Sequence, residues 1–240
     1  MPGVTARGTI VSAPNTIKIL SGGATRPLMA ELVPRFEHAH GMTIDIEFRL
    51  TSALKQAIAA GTTFDIAVLP RPDLNDLIEQ GAVAPGSATD IARSTVGLAI
   101  RPGAPKPDIG SVGALRHTLL QARSIAYSDG PSGAYVAALL TKLGIAEEMA
   151  PKTKLTSEPV AELVARGEAE LGMQQIVAIL PVRGAELVGP LPAELQNVII
   201  YAAGLSSGTR QTTAAAEGFI AFTRTAQAKQ LMRASGLEPA

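Results

Sequence analysis

The chain has 240 residues, no cysteine and a formal net charge of zero, with 46% apolar and 3% aromatic residues. That length can bury a substantial core, and Ala, Val, Leu and Ile must fill it. The charge balance gives no basic field for nucleic acid, the missing cysteine excludes disulfides and thiolate chemistry, and no run of about 18 apolar residues reads as a transmembrane helix.

The first 20 residues, "MPGVTARGTIVSAPNTIKIL", lack a charged start followed by an apolar stretch of about 7–15 residues. The expectation is a periplasmic protein whose signal peptide has been removed, or otherwise a cytoplasmic one. After them, strand and helix patterns alternate. "TIKIL" reads as a strand, "PLMAELVPRFEHAHG" as a helix stopped by Gly41, and "MTIDIEF" as a strand. "SALKQAIAAG" reads as a helix, "FDIAVLP" as a strand and "PDLNDLIEQG" as a helix with Pro72 near its start. This order predicts a parallel sheet with helices on both faces.

A strand in "TVGLAIRPGA" then runs into a Pro/Gly-rich stretch, and a second α/β unit follows through "SVGALRHTLLQA", "SIAYSD", "SGAYVAALLTKLG" and "PVAELVARGEAELGM". "AELVGPLPAELQ" and the strand "NVIIYAAGL" come next, and helical patterns run from about Gln211 to Ser235. The reading is an α/β protein of two lobes, one of residues 1–96 plus 203–240 and one of 97–202. "GLAI" and "NVIIY" would be the two crossing strands of a hinge. Clefts between lobes are preferred ligand sites, and ligands sit beyond the carboxyl ends of the strands.

Several turns join a strand end to a helix start: "SGGATRPL", "FRLTSALKQ", "YSDGPSGAYVAAL", "TSEPVAEL" and "GMQQI". Helix N-termini present unpaired N–H groups and favour anions. Gly22, Gly23 and Gly133 would admit a ligand close to the backbone, and Thr25, Thr51, Ser52 and Ser132 add hydroxyls. Taken one at a time, such residues are more often plain helix caps; the case rests on their convergence.

Other chemistries fit poorly. No phosphate-binding G-x-x-x-x-G-K-[ST] loop is present, and "GPSGA" is not a nucleophile elbow, with no obvious His partner for Ser132. His38 and His40 read as a solvated helix end rather than a metal clip, His117 stands alone, and no cofactor is expected.

The segments "IKILSGGATRPLMAELVPRFE", "TSALKQAIAAGTTFDIAVL", "PSGAYVAALLTKLG", "GEAELGMQQI", "ELVGPLPAELQ" and "GLEP" carry a resemblance nearly end to end. In order and spacing the chain resembles the molybdate-binding group of type II periplasmic solute-binding proteins. That resemblance implies a hinged two-lobed clamp that binds molybdate or tungstate through hydroxyls and backbone N–H groups. It implies ligand contacts at Ala24, where the family has serine, and at Thr51 or Ser52. It also implies contacts at Ser132 and Gly133, at the backbone near Val160, and at Gln174 or Gln175, where a tyrosine often stands.

Arginines depart from that pattern. Arg26 lies in the first turn, Arg49 precedes Thr51, and Arg93 precedes the first crossing. A guanidinium fork matches a carboxylate, so the expected ligand is a di- or tricarboxylate, with Arg26 the best-placed partner. Arg49 could instead point away by strand alternation. The partners expected are this small anion and, in a transport system, a membrane permease; the balanced charge and the fold point to a monomer. The subgroup is also similar to aconitate isomerases, which would need a positioned base. Glu47, Asp129 and Tyr127 are the nearby candidates, none with a signature, so no catalytic residue is assigned.

Overall fold

Ile17 and Ile19 belong to one buried cluster and the adjacent Leu20 to another. A strand buried on both faces needs helices on both sides. The computed structural model supplies them. It describes residues 16–129, 131–208 and 213–240; the readings of residues 1–15, and the start at Gln211 of the last helical pattern, lie outside the described residues.

The elements are β1 (Thr16–Gly22), α1 (Arg26–His40), β2 (Thr43–Arg49), α2 (Thr51–Ala59), β3 (Ile66–Pro70), α3 (Arg71–Glu79), β4 (Thr89–Ser94) and β5 (Val96–Ile100). They continue with α4 (Val112–Gln121), β6 (Ile125–Ser128), α5 (Pro131–Lys142), α6 (Ala146–Met149), β7 (Thr153–Thr156), α7 (Val160–Ala165), β8 (Leu171–Gln175) and α8 (Ile176–Ile179). The chain closes through β9 (Glu186–Pro190), β10 (Ile199–Leu205), α9 (Thr213–Phe222), α10 (Ala226–Ala234) and β11 (Glu238–Pro239).

Two sheets result. One has six strands in the order β11-β4-β10-β3-β1-β2, the other five in the order β7-β6-β8-β5-β9. On the first sheet, Ile66 and Val68 of β3 face α1, α9 and α10, where Leu32, Phe36, Phe219 and Met232 are buried. Ala67 and Leu69 face Leu54 of α2 and Leu74 and Leu77 of α3. The second sheet buries Leu119 of α4, Leu140 of α5 and Met149 of α6 on one side, and Val160 and Val164 of α7 on the other. Each large side chain removed from water in this way contributes on the order of 1.5–3 kcal/mol.

The expected parallel pairing holds for β1 with β2 and β3, and for β6 with β7 and β8. It fails elsewhere. β10 runs antiparallel to both β3 and β4, β11 antiparallel to β4, and β5 antiparallel to β8 and β9. The strands next to each crossing come from chain that changes sheets, so no crossover helix sets their direction.

The chain passes between sheets twice. Thr95 alone separates β4 from β5, and the return runs from Pro190 through a 3₁₀ turn at Ala193–Leu195 to Ile199. β5 belongs wholly to the five-stranded sheet and β10 wholly to the six-stranded one.

Candidate functional site

Strand register brings the carboxyl ends of both sheets to the crossing. Gly22 of β1 lies opposite Arg49 of β2, and Pro70 of β3 opposite Tyr201 of β10. Tyr201 is in turn opposite Ala92, and Ile199 opposite Ser94, the last residue before Thr95. From the other sheet, Gln175 at the end of β8 lies opposite Val96, and the Ile176 N–H donates to the Thr95 carbonyl at 2.9 Å.

A cleft of about 390 Å³ opens at the ends of β1, β2 and β3. Gly22, Gly23, Ala24 and Arg26 form one wall, Phe48, Arg49, Leu50 and Thr51 a second, and Pro70 and Tyr201 the floor. A 3₁₀ turn, Gly23–Thr25, leads into α1, and α2 begins at Thr51. Neither α1 nor α2 has an acidic residue in its first turn, and neither N-cap side chain accepts a hydrogen bond. The α2 N-terminus therefore opens here with N–H groups and partial positive charge, whereas at α1 the Arg26 N–H is already taken by the Gly23 carbonyl and Pro27 carries none.

The glycine turn is not forced by the protein. Gly22 has φ −66 and ψ 146, an extended conformation open to any residue. A Cβ at Gly22 would come no nearer than 3.9 Å to Thr51 Oγ1, and one at Gly23 would meet nothing within 4 Å. The volume that side chains at 22 and 23 would fill is that of the cleft.

Two cations stand on its walls. The Arg26 guanidinium lies 4.3 Å from the Phe48 ring centroid, a cation–π contact that holds it at the rim while its N–H groups stay available. Arg49 bonds through Nε to the Glu47 carboxylate. Arg49 nevertheless lines the cleft, and this pairing engages both side chains. Burial pushes the pKa of Tyr201 up to about 12.

Of the residues read from sequence, Gly22, Gly23, Ala24, Arg26, Arg49 and Thr51 are brought together in this cleft. Three others are turned elsewhere. Thr25 is fully buried, with its hydroxyl 2.6 Å from Ser21 Oγ and donating to the Gly22 carbonyl at 3.0 Å. It fastens the turn from inside instead of presenting a donor to the cleft. Ser52 is exposed and lies outside the lining. Arg93 points outward from β4, because its neighbour Ser94 takes the buried face, and it lines a separate recess with Arg224 and Lys229.

Ser132, Gly133, Val160, Gln174 and Gln175 gather at the carboxyl ends of β6 and β8 and the starts of α5 and α7, away from the lining of that cleft. Ser132 Oγ is 2.8 Å from Ser128 Oγ. A Cβ at Gly133 would fall 1.5 Å from the Ser128 carbonyl oxygen, so this glycine serves close packing of α5 on β6. The Val160 N–H donates to Gln174 Oε1 at 2.8 Å, which leaves the buried Gln174 Nε2 without a partner among the described residues.

The base candidates are likewise placed. Tyr127 is buried in the core of the five-stranded sheet, Asp129 is exposed, and Glu47 is paired with Arg49. His40 stacks on Phe36 with ring centroids 4.2 Å apart, so this exposed ring packs as well as being solvated. The sequence reading missed Phe48, Leu50, Pro70 and Tyr201. Phe48 and Leu50 both lie in the "FRLTSALKQ" turn and could have been found there; Tyr201 could not, because only the antiparallel pairing of β10 brings it to the cleft.

Comparison with known proteins agrees with this architecture. The chain is 32% identical over 231 residues to an aconitate isomerase from a Pseudomonas species, spanning 93% of this chain and 88% of that enzyme. It superposes with a TM-score of 0.82 on the substrate-binding domain assigned to a molybdenum ABC transporter from Clostridium difficile, at 15% identity, covering 94% of this chain and 99% of that one. With the Azotobacter vinelandii periplasmic molybdate-binding protein the TM-score is 0.70 at 20% identity, covering 92% and 98% of the two chains. Those two likenesses show the fold, a two-lobed type II periplasmic-binding-protein architecture. The family model for bacterial extracellular solute-binding proteins matches residues 17–238, and the chain belongs to that family.

Proposed function

We propose that the protein clamps a small organic anion with two or more carboxylates between a lobe built on the six-stranded sheet, which includes β10, and a lobe built on the five-stranded sheet. The observation that carries this is the pairing of Arg26 and Arg49 with an unfilled glycine turn in one cleft. Guanidinium forks match carboxylate oxygens, and the open N-terminus of α2 adds N–H donors without further charge. Leu50, 79% exposed at the mouth, supports closure, since a large apolar side chain gains by being covered. The Ser132–Gly133 turn and the Gln174–Val160 pair would be the opposing wall, and closure would follow from tighter binding to the closed state. The family supports a periplasmic setting and delivery to a membrane permease. No helix among the described residues is long and apolar enough to cross a membrane.

A second reading is an isomerase that shifts a proton and a double bond in a tricarboxylate such as aconitate, favoured by the 32% identity to aconitate isomerase. Both readings are tested by the same experiments. Thermal shift against molybdate, sulfate, citrate, cis-aconitate and trans-aconitate reads the ligand class, because a ligand of the native state raises the melting temperature. Stabilisation by the carboxylates alone is expected; stabilisation by molybdate alone would overturn the reading. Arg26→Ala should weaken carboxylate binding by more than about tenfold, a loss on the order of 2–5 kcal/mol. A change in ultraviolet absorbance on mixing with trans-aconitate would establish turnover, and its absence beside clear binding would leave a binder.

A further inference from the structure

We infer that the Tyr201 hydroxyl is a ligand-selecting donor on the floor of the cleft, an inference that rests on the carboxylate reading above. β10 carries Tyr201 to a position opposite Pro70, where β3 ends, and opposite Ala92 on β4. Its ring is packed into the cluster shared by α1, α9 and α10, and only 5% of the residue is exposed. The same residue lines the cleft. Its hydroxyl has no hydrogen-bond partner among the described residues, unlike the buried Tyr135, whose hydroxyl donates to the Leu195 carbonyl.

Buried hydroxyls are normally satisfied, and one that faces a cleft without a partner is a donor kept for something that enters. A second unpartnered hydroxyl lies close by in the sheet. Ser94 is fully buried, and its Oγ lacks a partner among the described residues. It sits two residues beyond Ala92 on β4 and so shares the sheet face of Tyr201 as a diagonal neighbour. Ser94 lies behind the cleft and outside its lining, so Tyr201 is the hydroxyl that the floor presents. Burial also keeps the phenol protonated well above neutral pH, so it donates and does not accept a proton. Arg26 and Arg49 would neutralise the charge of the anion at the rim. The uncharged Tyr201 O–H would then test for an acceptor oxygen at depth, rejecting ligands of equal charge that place an apolar group there.

The test is Tyr201→Phe, which removes one oxygen and keeps the ring. Affinities for cis-aconitate, trans-aconitate and citrate are measured by calorimetry for wild type, Tyr201→Phe and Arg26→Ala, with the melting temperature of each free protein. The expected result is a loss of about tenfold or more in carboxylate affinity for Tyr201→Phe, with the free protein melting where wild type does. Wild-type affinity in Tyr201→Phe beside a clear loss in Arg26→Ala would overturn this inference and leave the carboxylate reading standing. A lower melting temperature for free Tyr201→Phe would overturn it too, since the hydroxyl would then have a partner inside the protein. No binding of any carboxylate by wild type would overturn both.

Discussion

The side-chain amide of Gln196 grips the backbone of Val96 from both sides. Its Oε1 accepts from the Val96 N–H at 2.7 Å and its Nε2 donates to the Val96 carbonyl at 3.0 Å. Val96 starts the strand after the first crossing and Gln196 lies in the second, so one side chain ties together both passages between the sheets. The same Nε2 reaches the Leu191 carbonyl at 3.2 Å. Any closing rotation must turn about this clamp or break it. Gln196→Ala strips the Val96 N–H of its partner while the Val96 carbonyl keeps the Leu191 N–H at 3.0 Å, at a cost of about 1–3 kcal/mol. The expected outcome is a lower urea midpoint and a broader range of lobe orientations in small-angle scattering. Gln196→Glu keeps the acceptor but turns a carboxylate oxygen toward the Val96 and Leu191 carbonyls, so its urea midpoint should fall at least as far as that of the alanine variant.

Gly133 is fixed by contact, not by backbone conformation. A methyl group there would sit 1.5 Å from the Ser128 carbonyl oxygen, far inside any real contact. Backbone cannot yield as the end of a flexible side chain can, so α5 must lift from β6. Overpacking of this kind typically costs about 1–3 kcal/mol and more where backbone has to move. Gly133→Ala should therefore melt measurably lower than wild type in the absence of any ligand. An unchanged melting temperature would show that α5 accommodates the methyl by sliding.

The contrast with Gly23 shows what the sequence could and could not convey. Both glycines sit in a strand-to-helix turn, and both read as places where a ligand could approach the backbone. At Gly133 the close approach belongs to Ser128; at Gly23 it belongs to open space. Local pattern located both turns, because apolar periodicity and helix-start residues are short-range signals. It could not tell which neighbour fills the space, because that depends on contacts between distant segments. Arg93 and Thr25 were misplaced for the same reason. β4 was not read as a strand, so nothing indicated that Ser94 faces inward and Arg93 outward. Thr25 looked like an exposed cap, yet its hydroxyl closes on Ser21 at the end of β1. Tyr201 needed the antiparallel return of β10, which no helix or turn signal announced.

Gly23→Ala is the corresponding functional test. Its methyl would meet no protein atom within 4 Å, and it relieves some backbone freedom in the unfolded chain. The free protein should be as stable as wild type or slightly more so. The added methyl projects into the volume proposed for the anion, so carboxylate affinity should drop about tenfold or more if the ligand lies against the turn. Equal stability with equal affinity would place the ligand away from Gly23.

Alkaline stability gives an independent view of Tyr201. Burial raises its folded-state pKa to about 12, whereas an unfolded tyrosine titrates near about 10. Below the unfolded value both states hold the proton and this group makes no pH-dependent change. Between the two values the unfolded state loses its proton first, so stability falls as pH rises through that window. Two pH units correspond to an order of about 3 kcal/mol. Tyr135 is shifted in the same direction by burial and contributes to the wild-type loss as well. Tyr201→Phe isolates the first effect, because it removes one titrating phenol and leaves the other. Urea unfolding at about pH 8 and about pH 11 should show a clearly smaller loss in the variant than in wild type. Equal losses would mean that the Tyr201 hydroxyl is solvated through the cleft and titrates as it does in the unfolded chain.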